Sequence, residues 1–123
     1  IARSKLGCRY VRGGKGPNVF DCSGFVYWCI NKAGISQGYM TSYMWRSCTR
    51  YQRNNNINNV KRGDVIVYYG HVAICSGKWT MIDASQSNGR IVERSFNSNY
   101  WHRNFIAHSA YSDNIGKAVE QKI

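Results

Sequence analysis

Three side chains, Cys22, His71 and Asp83, could together perform nucleophilic acyl transfer. A thiol needs a base to take its proton. The base in turn needs a third group that orients its ring and steadies its cation. Cys22 lies in the run Asp21-Cys22-Ser23-Gly24-Phe25, after a loop containing Gly13, Gly14, Gly16 and Pro17. Beyond it, apolar residues recur at Phe25, Val26, Cys29, Ile30 and Ala33, which is one face of a helix. Asp21 suits the N-cap, so Cys22 is expected at the helix start. The dipole and unpaired N–H groups there favour a thiolate. The neighbouring Asp21 carboxylate opposes it.

The elements that must bring the other two residues together are strands. Asp64–Tyr69 (DVIVYY), His71–Ser76 (HVAICS) and Trp79–Ala84 (WTMIDA) are rich in β-branched and aromatic residues. The last two are joined by Ser76-Gly77-Lys78, a loop suited to a hairpin. If Cys75 pairs with Trp79, then Ala73 pairs with Met81 and His71 with Asp83. Opposed residues share a sheet face, so an imidazole is expected beside a carboxylate. Cys75 is expected on that same face.

These blocks resemble the NlpC-type cell-wall cysteine peptidases. The matching residues are Leu6-Gly7, Tyr10-Val11, Gly13-Gly14, Pro17-Asn18 and Phe20 through Val26. Gly63-Asp64-Val65, His71-Val72-Ala73-Ile74 and Met81-Ile82-Asp83-Ala84 complete the set. The resemblance runs from near residue 2 to about residue 110. It implies an α+β fold of permuted papain-like type, with N-terminal helices packed on a mostly antiparallel sheet. It implies a peptidoglycan hydrolase that cleaves stem peptides at the D-glutamyl–diamino acid bond. Cys22 is then the nucleophile and His71 the base, with Asp83 as its orienting group. The Cys22 N–H and the Tyr10 hydroxyl hold the oxyanion. Asp21 and Ser23 line the substrate pocket. The alternatives are an amidase or cross-bridge cutter on the same fold, or a basic wall-binding module without catalysis.

Three positions depart from the family pattern. Asp83 stands where a second histidine is usual, and an acid can still orient an imidazole. Arg12 replaces the usual tryptophan before the paired glycines, and Arg62 replaces a proline. Arg12 borders the cleft implied by the resemblance, so it is expected to touch substrate.

Composition agrees with this reading. The 123 residues are 43% hydrophobic and 14% aromatic, enough for one globular core. They are expected to form a single domain of a longer or processed protein, since the chain begins at Ile1. No apolar run is long enough to span a bilayer. Seventeen Lys and Arg against six acids give a net charge of +11. Such a surface favours polyanions, and anionic wall polymers are the expected partners. No nucleic-acid motif is present, so no nucleic acid is expected. The protein is expected to be secreted or wall-associated.

The five cysteines include no C-x-x-C spacing, so neither a metal nor a cofactor is expected. Cys8, Cys29, Cys48 and Cys75 read as core thiols. Helices are expected over Ala2–Cys8 and Ser42–Tyr51, and a polar loop over Asn54–Asn59. Further strands are expected over Ile91–Arg94 and Phe105–Tyr111. His102 and His108 read as surface or strand histidines.

Overall fold

The computed structural model describes residues 1–103 and 105–110. Its centre is an antiparallel meander of β4 (Val65–Tyr68), β5 (His71–Gly77), β6 (Thr80–Ser85) and β7 (Arg90–Ser95). The short strands β1 (Arg9–Tyr10) and β2 (Val19–Phe20) extend one side. β8 (Ile106–His108) and β3 (Arg53–Asn54) extend the other. Among the described residues the order is β2-β1-β7-β6-β5-β4-β8-β3, with only the β1–β2 pair parallel. Among the described residues three helices accompany the sheet: α1 (Cys22–Lys32), α2 (Ser42–Arg46) and α3 (Asn99–His102). The α+β expectation holds.

The strands β4, β5 and β6 alternate between two cores. Val65, Val67, Val72, Ile74, Ile82 and Ala84 pack with Phe25, Val26, Cys29 and Ile30 of α1. Each large aliphatic or aromatic side chain so buried contributes about 1.5–3 kcal/mol. Ile66, Tyr68, Ala73, Cys75 and Met81 form the other core with Phe96 and Phe105. The helix period and the strand alternation therefore meet in one interface, which lays α1 across β5 and β6.

The start of α1 is built by the glycine loop. Asp21 caps it, accepting from the Gly24 N–H at 2.7 Å through Oδ1 and from the Gly13 N–H at 2.9 Å through Oδ2. The Gly14 carbonyl accepts from the Asp21 N–H. A Cβ on Gly24 would lie 1.8 Å from that same carbonyl oxygen. The loop can press on the helix start only because residue 24 has no side chain.

The β5–β6 register differs from the expected one by two residues. Ile74 faces Ile82, Cys75 faces Met81, and Gly77 faces Thr80. Ser76 is the extra residue of a bulge, and the turn shortens to Lys78-Trp79. Ser76 Oγ and Thr80 Oγ1 lie 2.9 Å apart across it. His71 and Asp83 are therefore diagonal neighbours, not directly opposed. An even shift leaves both on one face, and Cys75 shares it as expected.

Other expectations shorten. Ala2–Cys8 holds only a 3-10 turn at Arg3–Lys5, and Cys8 lies beyond it. The helix expected over Ser42–Tyr51 stops at Arg46, before Cys48. Its apolar residues are spent differently: the Tyr51 ring stacks on Trp45 and its hydroxyl donates to Gln37 Oε1 at 2.6 Å. The Asn54–Asn59 segment contributes to β3 and a 3-10 turn at Ile57–Asn59. Tyr111, the expected end of the last strand, lies outside the described residues.

Candidate active site

Cys22 is the first residue of α1 and half-buried. At that position its N–H has no intrahelical partner. His71 is the first residue of β5, and its ring lies near enough to the Cys22 side chain for the two to interact electrostatically. On its other side, Nε2 lies 2.7 Å from Asp83 Oδ2. With Nε2 committed to the carboxylate, Nδ1 is left to serve the sulfur. The Asp83 side chain has no solvent exposure, whereas that of His71 keeps 20%. The carboxylate is thus sealed beneath a ring that remains reachable from outside.

Asp83 has a second partner that was not foreseen. Arg94 donates to it twice, from Nε to Oδ1 at 3.1 Å and from Nη2 to Oδ2 at 2.7 Å. Arg94 faces Met81 across β6–β7, so it too is a diagonal neighbour of Asp83. His71, Asp83 and Arg94 form an oblique row over three strands. Diagonal side chains on one face lie within reach when one is long. The guanidinium also covers the Trp101 ring, 5.0 Å from its centroid. Trp101 in turn lies 6.4 Å from the His71 ring, centroid to centroid.

Burial acts to lower the His71 pKa. The hydrogen bond to Asp83, the interaction with Cys22 and the negative charge each partner can carry override it and raise the value to about 9. At neutral pH the ring is an imidazolium, donating to Asp83 and facing the sulfur. The other buried thiols are unsuited to attack. Burial pushes Cys75 up to about 12 and pushes Cys29 up as well. Both are core residues, as expected. His108 belongs to β8 and is fully buried, with Nε2 2.7 Å from the Trp45 carbonyl oxygen. His102 lies in α3 rather than on a strand.

Tyr10 also lies near enough to Cys22 to feel its charge. β1 runs parallel beside β2, with Tyr10 level with Phe20, two residues before Cys22. Burial raises the Tyr10 pKa first, and the charges of Cys22 and Asp21 add to it. Arg12 opposes them. The phenol therefore keeps its proton and remains a donor. Arg12 is exposed beside it. Asp21 and Ser23 are placed here too, but their polar atoms are engaged. Asp21 holds the loop, and Ser23 Oγ lies 3.0 Å from the Tyr39 hydroxyl. Tyr39 is a further neighbour of Ser23 and Tyr10 that the sequence pattern did not signal.

A cavity of about 510 Å3 opens beside His71, with Arg94, Trp101, Tyr100, Ser85, Gln86 and Ser87 in its lining. Another of about 480 Å3 lies by β3 and includes Arg53, Asn54, Asn58 and Lys61. Among the described residues its lining includes none of Cys22, His71 and Asp83, whereas the first includes His71. Among the described residues no group of three or more His, Cys, Asp or Glu could hold a metal ion.

This arrangement of a thiol, an imidazole and a carboxylate sits on a fold with known relatives. The model of the NlpC/P60 family matches residues 7–110. The chain belongs to the NlpC/P60 family. It is 39% identical over 93 residues to the probable endopeptidase p60 of Listeria monocytogenes, covering 72% of this chain and 18% of that protein. It is 32% identical over 107 residues to a probable endopeptidase of Corynebacterium glutamicum, covering 76% and 44%. The chain spans about a fifth of the length of the Listeria relatives. Among solved structures, the NlpC/p60 domain of the peptidoglycan hydrolase SagA matches with a TM-score of 0.69 at 28% identity. That match covers 88% of this chain and 92% of that one.

Proposed function

We propose that the protein is a cysteine endopeptidase that cleaves peptidoglycan stem peptides at the D-glutamyl–diamino acid bond. The observation that carries this reading is the Cys22 thiol at the start of α1 near His71, whose ring is bonded to the buried Asp83. Its relatives of known name are probable endopeptidases and a peptidoglycan hydrolase.

In the proposed reaction the proton shared by Cys22 and His71 rests on the imidazole, and the thiolate attacks the peptide carbonyl carbon. The carbonyl electron pair moves to oxygen, where the Cys22 N–H and the Tyr10 hydroxyl receive it. The C–N bond then breaks. The leaving amine takes the proton from His71, and a thioester remains on Cys22. Water, deprotonated by His71, attacks the thioester and releases the acid and the thiol. Asp83 holds the ring in place and offsets the charge it carries.

Arg12, Asp21 and Ser23 are proposed to line the acyl side of the cleft with Tyr39. The Asp21 carboxylate accepts from the Gly13 and Gly24 N–H groups, and an acid at that place suits a substrate ammonium. Among the described residues no helix is long and apolar enough to cross a membrane. The cationic surface suits a protein that works at the anionic wall. The test is digestion of purified wall, with the fragments identified by mass. Release of new amino termini on the diamino acid is expected, and none from Cys22→Ala protein. Fragments cut at the sugar–peptide link would instead identify an amidase, and intact wall a binding module.

A further inference from the structure

We propose that the cavity of about 480 Å3 beside β3 is a second binding site, which takes a polyol phosphate segment of an anionic polymer. It lies away from the thiol. Tyr68, at one end of β4, pairs with His71. Val65, at the other end, pairs with His108, and Ser109 after it lines the cavity. The two ends of the strand are about 10 Å apart. Binding there needs no acyl transfer, so this site and the acyl-transfer reading can fail separately.

The wall of this cavity is fixed by its own hydrogen bonds. Asn54 Oδ1 accepts from the Asn56 N–H at 2.9 Å, and Asn56 Oδ1 accepts from the Asn58 N–H at 3.0 Å. The Ser109 N–H donates to the Gln52 carbonyl at 3.0 Å, which ties the start of this loop to the end of β8. Arg53 Nε donates to Asn55 Oδ1 at 3.2 Å and Nη1 to the Arg46 carbonyl at 3.4 Å, while Nη2 takes no part in either bond. The backbone N–H of the exposed Lys61 is held by Asp64 Oδ2 at 2.9 Å. Groups already held in place lose less freedom when a ligand arrives.

The lining chemistry selects the ligand. Arg53 and Lys61 suit a phosphate, which a guanidinium can grip through two N–H groups. The side-chain amides of Gln52, Asn58 and Asn59 each offer a donor and an acceptor. A hydroxyl is likewise both, so these amides suit a polyol. A chain that alternates phosphates with hydroxyl-bearing carbons satisfies both sets. The volume lies within the range of small-molecule sites, about 300–1,000 Å3. A nucleic acid carries the same phosphates, but its bases bind by stacking on rings. The described lining supplies amides and cations instead.

The probe is poly(glycerol phosphate), titrated into the wild-type protein and followed by NMR of backbone and side-chain amides. Shifts are expected at the Gln52, Asn58 and Asn59 side-chain NH2 groups and at the Ser109 N–H. Shifts spread evenly over the cationic surface would overturn the site. Affinities come from calorimetry. Lys61→Gln should weaken binding by about tenfold, the effect of one charge-assisted hydrogen bond. Lys32→Gln, on α1, removes the same charge elsewhere and should change it far less. Equal losses would mean diffuse attraction and overturn the site. Asn58→Leu keeps the charge, so it should weaken poly(glycerol phosphate) but not polyglutamate, an anion without hydroxyls. Equal effects on the two polymers would overturn the polyol reading, as would inorganic phosphate binding as tightly as the polymer. Lys32, Asn58 and Lys61 are exposed, so these variants are expected to fold, and denaturant unfolding checks it. Tighter binding of polyuridylate than of poly(glycerol phosphate) would make the ligand a nucleic acid and overturn the proposal.

Discussion

Asp83→Asn and Arg94→Met remove opposite charges from one buried pair, and they should move the pH profile in opposite directions. In the wild type, the imidazolium of His71 loses its proton near pH 9. The alkaline limb of kcat/KM is expected there, because above it His71 no longer holds the proton that the leaving amine must receive. Asparagine supplies one oxygen and one NH2 where three donors converge on a carboxylate. With its oxygen at the Oδ2 position it still accepts from His71 and Arg94 Nη2. Its NH2 then meets the Arg94 Nε–H, which sat 3.1 Å from Oδ1. The ring keeps an acceptor but loses its counter-ion and gains an unbalanced guanidinium. The alkaline limb should fall by at least one pH unit, and kcat/KM at neutral pH by about 10–100-fold, the value of a charge-assisted hydrogen bond. Arg94→Met leaves the full carboxylate charge to His71, so its limb should rise.

Stability gives an independent reading of the same pair. The folded His71 pKa is raised, so its contribution is fully present below pH 6.5 and is lost as pH rises through about 9. The distance from 6.5 to about 9 corresponds to roughly 3 kcal/mol. Wild-type stability should decline across that window, and Asp83→Asn protein should be less stable at pH 6 with a flatter profile. Arg94→Met should cost about 3 kcal/mol, the lower end for breaking a buried pair, because Arg94 is partly solvated. The assays are kcat/KM on a soluble stem peptide from pH 5 to 10.5, denaturant unfolding over the same range, and NMR titration of His71. A limb that stays near pH 9 in Asp83→Asn protein, or one that moves the same way in both variants, would refute the argument.

Cys22→Ala should abolish hydrolysis with little loss of stability, and iodoacetamide should label Cys22 before Cys29 and Cys75, whose thiols are buried and pushed up. Faster labelling of either buried thiol, measured by peptide mapping, would count against Cys22. Gly24→Ala should cost about 2 kcal/mol or more in denaturant unfolding and reduce activity, since its Cβ meets the rigid Gly14 carbonyl and displaces the loop that Asp21 holds. Unchanged stability would mean that the loop does not set the helix start. Activity on wall should fall steeply with salt while activity on a soluble peptide changes little, because screening acts mainly on exposed charges. Among the described residues Asp64 and Asp83 are buried, Asp21 bonds the glycine loop and Glu93 pairs with Arg3 at 2.7 Å, so surface cations far outnumber surface acids. Equal salt dependence on both substrates would remove the wall-docking role of that charge.

The parts of the site legible in the sequence are those set by local period. The helical stripe behind Cys22 and the cap at Asp21 place the thiol at a helix start without any tertiary information. Strand alternation places His71 and Asp83 on one face. That conclusion survives a two-residue error in register, because face depends on parity and parity is unchanged. The register itself depends on a bulge at Ser76, where neighbouring β-branched and small residues carry no distinct mark. Arg94 is illegible for a related reason. Its strand is visible over Ile91–Arg94, yet its partner depends on where the β6–β7 turn closes. Ser85 pairs with Arg90 around Gln86-Ser87-Asn88-Gly89, and a turn shorter or longer by one residue would send Arg94 to the other face. The signal that could have found it is chemical: a buried aspartate opposite a single histidine leaves acceptor capacity to fill. A search of the adjacent strand for a long cation then reaches Arg94. The substitution of an acid for the usual family histidine and the presence of this arginine are therefore one feature. A carboxylate sealed beneath the base is tolerable because a second cation, anchored on the neighbouring strand, shares its charge.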